Sequence, residues 1–140
     1  MLVELIYASE VEDSVSIEEV RTILATSQRN NAAVQVTGAL IFNSRFFLQW
    51  LEGDRHVVNR TYHRIAADSR HRGPELLSYR ESPQREFSRW SMGYMGEGMI
   101  NQELLLKYSA NGEFNPYAMS ADAARGLMLD LSRVSVSLTA

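Results

Sequence analysis

Two polar side chains stand inside apolar runs of this sequence. Tyr7 lies in "LVELIYAS" and Gln49 in "RFFLQWLE". Side chains alternate along a strand, so Tyr7 shares a face with Val3 and Leu5, and Gln49 with Phe47 and Leu51. A buried amide without partners costs on the order of 1–3 kcal/mol. Gln49 therefore needs donors and acceptors nearby, and a phenol can supply one. A phenol can give up both an electron and a proton, while an amide accepts at one end and donates at the other. Each residue also has an ordinary reading. Tyr7 would be a core aromatic with its hydroxyl at the surface, and Gln49 would lie on an exposed stretch of sheet. Asn31 would be a helix C-cap, and Trp90 and Met92 core or interface residues. Arg64, Arg70 and His71 would form a solvated basic edge.

Other chemistries find little support. There is no HExxH, GxSxG, P-loop or GxGxxG pattern, and the three histidines do not cluster. With no cysteine, disulfides and Cys-ligated metals are excluded. The net charge of −3 argues against a nucleic-acid partner, although Arg60, His63, Arg64, Arg70, His71 and Arg72 form a short basic cluster. The N-terminus lacks the basic and long apolar regions of a signal peptide, and no apolar run approaches the roughly 20 residues of a membrane span. A cytoplasmic protein with no membrane contact is expected.

The elements that must position these residues follow from periodicity. Residues 2–9 read as a strand. Ser16 and Glu19 form a capping-box pattern ahead of a helix over 17–30. "QVTGALIFN" and "RFFLQWLE" read as strands joined by a tight turn at Asn43-Ser44. Asp54 is placed to cap a second helix over 55–68, which "DSRHRGP" ends in a loop. Strands are expected over 75–82 and 86–95, and helices over 100–107 and 120–135. The order β-α-β-β-α-β-β predicts a ferredoxin-like α+β sandwich: a mixed five-stranded sheet with two helices on one face, plus C-terminal helices. With 140 residues and 45% apolar content, the chain holds one core. Residues 1–96 would form the main domain and 97–140 a helical extension packed on its sheet.

Together these segments resemble the BLUF family of flavin-dependent blue-light sensors. The resemblance rests on "LIYAS", "SQRNNAAVQVTGAL", "RFFLQWLEGD", "DSRHRGPELL" and "FSRWSMGYM", in that order. The tail "LLLKYSANGEFNPYAMSADAARGL" is similar to short BLUF proteins of the PixD type, which carry no fused effector. The resemblance implies FAD as chromophore, with FMN or riboflavin as alternatives. It makes Tyr7 the photoactive tyrosine and Gln49 the switching glutamine, with Trp90 and Met92 as an output pair on the fifth strand. Asn31 would hold the flavin edge, with Asn30 beside it. Arg64, Arg70 and His71 would lie toward the phosphate side, and Ile23, Leu24 and Phe47 are candidates to sandwich the ring. Arg29-Asn30 departs from relatives that carry His next to the asparagine.

The implied function is photosensory signalling without substrate turnover. Light-driven transfer from Tyr7 would rearrange a Tyr-Gln-flavin hydrogen-bond network, read out through the fifth strand and the tail helices. The downstream partner would be a response-regulator-like protein or a cyclic-di-GMP phosphodiesterase, and the chain would form a homo-oligomer. Two alternatives stand beside it. An acylphosphatase-like hydrolase would want a phosphate-cradling loop, and "YASEVEDS" is acidic and lacks a Gly-rich cradle. A flavin-free interaction module would leave the phenol and amide bonded at most to each other.

Overall fold

The computed structural model describes residues 1–96 and 99–134. Residues 97, 98 and 135–140, which belong to the expected extension, lie outside the described residues. Strand β1 (Leu2–Val11) is followed by α1 (Ile17–Ala33), the hairpin β2 (Thr37–Phe42) and β3 (Phe46–Asp54), then α2 (Arg55–Ala66) and β4 (His71–Glu81). A short β5 (Gly93–Gly96), then α3 (Gln102–Tyr108) and α4 (Ala121–Val134), complete the chain. The sheet order is β4-β1-β3-β2-β5. β2 and β5 run parallel, and the other pairs are antiparallel. This is the expected mixed five-stranded α+β sheet.

Local chemistry explains the element ends. Ser16 and Glu19 form the capping box of α1 reciprocally. Ser44 takes a left-handed φ of 74° in the hairpin, and Asn43 Oδ1 accepts from the amides of Arg45 and Phe46. Asp54 occupies the N-cap of α2 without making a side-chain cap bond. His71 opens β4, so the loop expected over "DSRHRGP" is shorter than its sequence implies.

The fifth strand is the largest departure. It covers Gly93–Gly96 and not 86–95. Residues 86–92 are irregular: the amides of Glu86 and Phe87 bond a side chain instead of a neighbouring strand, and the amide of Trp90 turns back onto the carbonyl of Phe87. Glu52 accepts from the amide of Phe87 at 2.6 Å and from that of Glu86 at 2.9 Å. Trp90 and Met92 therefore precede β5. Strand alternation would put them on one face, and the irregular path sends them to opposite faces. Met92 joins the cluster beneath α1 and α2. Trp90 stacks on Phe87 at 5.6 Å in the cluster beneath α4. Gly93 permits that stacking, since a Cβ there would lie 2.2 Å from the indole ring.

The sheet thus separates two cores. One is built from Val3, Leu5, Tyr7, Leu40, Phe47 and Leu51 under Val20 of α1 and Val58 of α2. The other sets Ile6, Ala39, Ile41, Leu48 and Trp50 against Ala124, Leu127, Met128 and Leu131 of α4. Both cores run on the 3–4-residue stripe of a helix against the two-residue alternation of strands. No described helix is long and apolar enough to cross a membrane.

Candidate functional site

Tyr7 and Gln49 face each other across the β1–β3 ladder. Tyr7 is 1% exposed and Gln49 4% exposed, so neither the surface-hydroxyl nor the exposed-sheet reading holds. Their burial is resolved internally. The Tyr7 hydroxyl donates to Gln49 Oε1. Gln49 Nε2 in turn donates to Met92 Sδ at 3.3 Å. The amide therefore spans a phenol on β1 and a thioether just before β5. Burial pushes the Tyr7 phenol far above the usual tyrosine range, with lesser contributions from Tyr62 and Asp68. The neutral phenol is the form this site holds.

Asn31 lies inside the last turn of α1 and does not cap it; the C-cap is Val34. Its Nδ2 donates to the carbonyl of Ser91 at 3.0 Å, and Gln28 Nε2 donates to the carbonyl of Met92 at 3.0 Å. Two side chains of α1 thus anchor the backbone that delivers Met92 to Gln49. Gln28 carried no signal in sequence beyond its place in a polar helical run.

A cleft of about 170 Å³ opens between α1 and α2 beside this network. Ile23, Asn30, Asn31, Arg64, Arg70 and His71 line it, joined by Thr61, Ile65 and Asp68. Leu24 packs against the core instead of lining the cleft. Phe47 lies beneath His71 with ring centroids 4.8 Å apart. Arg64 and Asn30 are exposed at the rim.

Arg70 is not a free cation. It forks onto Asp68, with Nη2 at 2.5 Å from Oδ2 and Nε at 2.9 Å from Oδ1. That hydrogen bonding holds the Asp68 carboxyl down at about 2. His71 is not a solvated surface residue either. Its Nδ1 lies 2.9 Å from Ser9 Oγ, and its ring meets that of Tyr7 edge-on at 6.4 Å. Burial lowers its imidazole below the ordinary range, while Asp68 opposes and Arg70 reinforces the effect. Asp68, Ser9 and Thr61 escaped sequence reasoning. The tight Asp-x-Arg-His spacing was the available signal for the first.

The residues present fit a flavin in kind. An amide edge from Asn31, apolar contacts from Ile23 and Ile65, and cations at the rim suit a ring with a polar edge and an anionic tail. At about 170 Å³ the cleft is smaller than the roughly 300–1,000 Å³ of drug-sized ligand sites. Among the described residues, no group of three or more His, Asp or Glu could hold a metal ion.

Comparison with known proteins agrees with this geometry. Residues 2–93 match the family model described as "BLUF: Sensors of blue-light using FAD". The chain is 34% identical over 92 residues to the blue light- and temperature-regulated antirepressor BluF of Escherichia coli (strain K12), covering 66% of this chain and 23% of that protein. It is 30% identical over 100 residues to photoactivated adenylate cyclase subunit beta of Euglena gracilis, covering 71% of this chain and 12% of that one. The chain thus spans less than a quarter of the length of these relatives. Among solved structures, the photo-activated state of BlsA superposes with a TM-score of 0.85 at 27% identity, covering 94% of both chains. A bacterial light-regulated adenylyl cyclase superposes with a TM-score of 0.69 at 30% identity, covering 76% of this chain and 31% of that one. With two thirds of the sequence under the family model and the Tyr7–Gln49 pair formed, the chain belongs to the BLUF family of blue-light sensors using FAD.

Proposed function

We propose that this chain senses blue light through FAD held non-covalently between α1 and α2, with Tyr7 and Gln49 as the switching pair. FMN or riboflavin would serve the same photochemistry. The observation that carries the reading is the bond from Tyr7 to Gln49 Oε1, continued from Gln49 Nε2 to Met92 Sδ. A bound flavin supplies light absorption and an electron acceptor. Asn31, with Asn30 beside it, orients the polar edge of the ring. Ile23 lines its apolar side with Leu24 and Phe47 packed behind in the core, and Arg64, Arg70 and His71 face the anionic side.

Tyr7 gives up an electron, and its hydroxyl proton moves along the existing bond to Gln49 Oε1. The electron and the proton then return to Tyr7, and the amide is left rotated or tautomerised, with donor and acceptor exchanged. In the rotated form Nε2 faces Tyr7 and Oε1 faces Met92. A phenol oxygen can accept as well as donate, so Tyr7 remains satisfied. A thioether accepts only, so Met92 loses its donor and its hold on Gln49. The difference is of order 1–3 kcal/mol per misplaced bond, which suffices to bias a two-state element.

In this reading residues 1–96 form the sensing unit. Residues 97–140 carry output and oligomerisation. Met92 and Trp90 relay the change, and the chain itself turns over no substrate. Output passes to a separate partner in the cytoplasm, a response-regulator-like protein or a cyclic-di-GMP phosphodiesterase. The variety of named relatives supports a transferable sensor: an antirepressor, an adenylyl cyclase and BlrP1, solved with cyclic di-GMP. The test is the light-minus-dark spectrum of the purified protein. Blue light shifts flavin absorption to the red, with recovery in the dark. Tyr7→Phe keeps the flavin and loses the shift; an ordinary photocycle in that variant would overturn the reading.

A further inference from the structure

The face of the sheet opposite the candidate flavin site carries a second polar pair across the β1–β3 ladder. Glu4 and Glu52 stand opposite each other there, 0% and 1% exposed. Two adjacent carboxylates in an apolar core need compensation, because an unpaired buried charge is strongly destabilising. Glu52 obtains it from the Glu86 and Phe87 amides and from Thr37 Oγ1 at 2.9 Å. Glu4 obtains it from two guanidinium groups. Arg80 Nε lies 2.6 Å and Arg125 Nε 3.0 Å from the same oxygen, Oε1. Glu4 Oε2 is buried and accepts no bond among the described residues.

Arg125 belongs to α4 and divides its guanidinium. Nε holds Glu4, Nη2 lies 3.5 Å from Glu86, and the group lies over the Trp50 ring at 5.1 Å. One side chain thus ties the C-terminal helix both to the central sheet and to the segment that leads to Trp90 and Met92. The unused oxygen of Glu4 offers it a second position. Freed from Glu86, the Arg125 fork can close on both oxygens of Glu4, the preferred planar two-bond geometry. Glu86, which is partly exposed, is then left to water.

We propose that Arg125 is a two-position latch that couples the 86–92 segment to α4. In one position it bridges Glu4 and Glu86, and α4 is tied to the segment. In the other it chelates Glu4 alone, and the segment moves independently of α4. The latch rests on the reading of Met92 as part of the switch. Displacement of Met92 pulls on Glu86 through the five residues between them, with the amides of Glu86 and Phe87 bonded to Glu52 as the pivot. Both arrangements keep Glu4 neutralised, as a device poised between two states requires.

The test is a double-mutant cycle in the full-length protein in the dark, read by amide hydrogen exchange over 121–134. Met92→Ala loosens the segment and is expected to raise exchange in α4 by about fivefold, the size of a coupling between contacting residues. In a Glu86→Ala background the same change leaves α4 exchange unaltered, because Arg125 then holds only Glu4. Arg125→Lys keeps α4 docked through its charge on Glu4 and loses the coupling, since an ammonium cannot span both carboxylates. Equal effects of Met92→Ala in the wild-type and Glu86→Ala backgrounds overturn the latch, as does full coupling in Arg125→Lys. No light is needed for the cycle. A protein lacking a flavin spectrum would defeat the sensor reading and leave the latch to be judged on the cycle alone.

Discussion

The two faces of the sheet carry the same device built from opposite chemistry. Strands β1 and β3 pair Tyr7 with Gln49 on one face and, three residues away, Glu4 with Glu52 on the other. The first pair is neutral and sits in an apolar cluster under α1 and α2. The bond between Tyr7 and Gln49 joins two groups that can exchange donor and acceptor roles. The second pair is acidic and bonded by backbone amides and guanidinium groups. Reversing a neutral amide moves about one hydrogen bond's worth of free energy, whereas exposing a buried carboxylate's partners costs several kcal/mol. Under the proposed function the first face switches, while on the second Glu52 holds the start of the 86–92 segment and Arg125 links that segment to α4. The shared strands explain how both devices meet at residues 86–92, where Glu52 holds the start of the segment and Gln49 its end.

The comparison is broken most severely at Glu52. Glu52→Ala removes the acceptor of two amides and one hydroxyl in a buried setting. The expected loss is roughly 3–5 kcal/mol, the sum of several buried groups left unpaired. Urea unfolding followed by far-ultraviolet circular dichroism measures it. A loss below about 1 kcal/mol would mean that the amides find other partners and that the face is less fixed than described.

At Gln49 the expected stability effect is smaller and the functional effect complete. Gln49→Leu leaves the Tyr7 hydroxyl unpaired in the core, for roughly 1–2 kcal/mol, while the leucine side chain recovers part of it by apolar burial. Adding Tyr7→Phe removes the orphan hydroxyl. The double variant is therefore expected to be more stable than Gln49→Leu alone, and both variants to lose the light-induced red shift. A double variant less stable than either single one would show that the pair is held by more than its mutual bond. Thermal unfolding and the difference spectrum read the two properties separately.

Much of the switching face was legible in the sequence, and little of the other. Alternation alone put Tyr7 with Val3 and Leu5 and Gln49 with Phe47 and Leu51, because β1 and β3 pair in unbroken register through these residues. The capping box set the start of α1 because its two residues act locally. Alternation did not give the register that places Tyr7 opposite Gln49, since it depends on pairing across 42 residues; the family resemblance alone paired them. Residues 86–92 mimic a strand in sequence, with apolar residues at Phe87, Trp90 and Met92. Their path is dictated by a carboxylate 35 residues earlier, which no local pattern encodes. Glu4 and Glu52 could have been found by the alternation that exposed Gln49. Glu4 shares its face with Ile6 and Glu52 shares its face with Trp50, so each is a charge in an apolar stripe.

The smallest expected effect separates the faces by pH. On the switching face, His71 is packed against Phe47 and Tyr7, bonded to Ser9, and flanked by Asp68 and Arg70. Burial holds its imidazole below the ordinary value of 6.5. In the unfolded chain the ring gains its proton as pH falls through about 6.5, while in the folded protein it stays neutral to lower pH. The unfolded state then binds more protons, so this contribution to stability is complete above pH 6.5 and declines as pH falls below it. His71→Asn keeps a polar atom within reach of Ser9 and removes the titration. Denaturation midpoints taken at intervals from pH 7.5 to 5 should therefore fall less steeply in His71→Asn than in the wild-type protein. The buried Glu52 network of the other face is unchanged between the two proteins, so its contribution cancels in the difference. Parallel curves would place the His71 ring in water and remove it from the floor of the cleft.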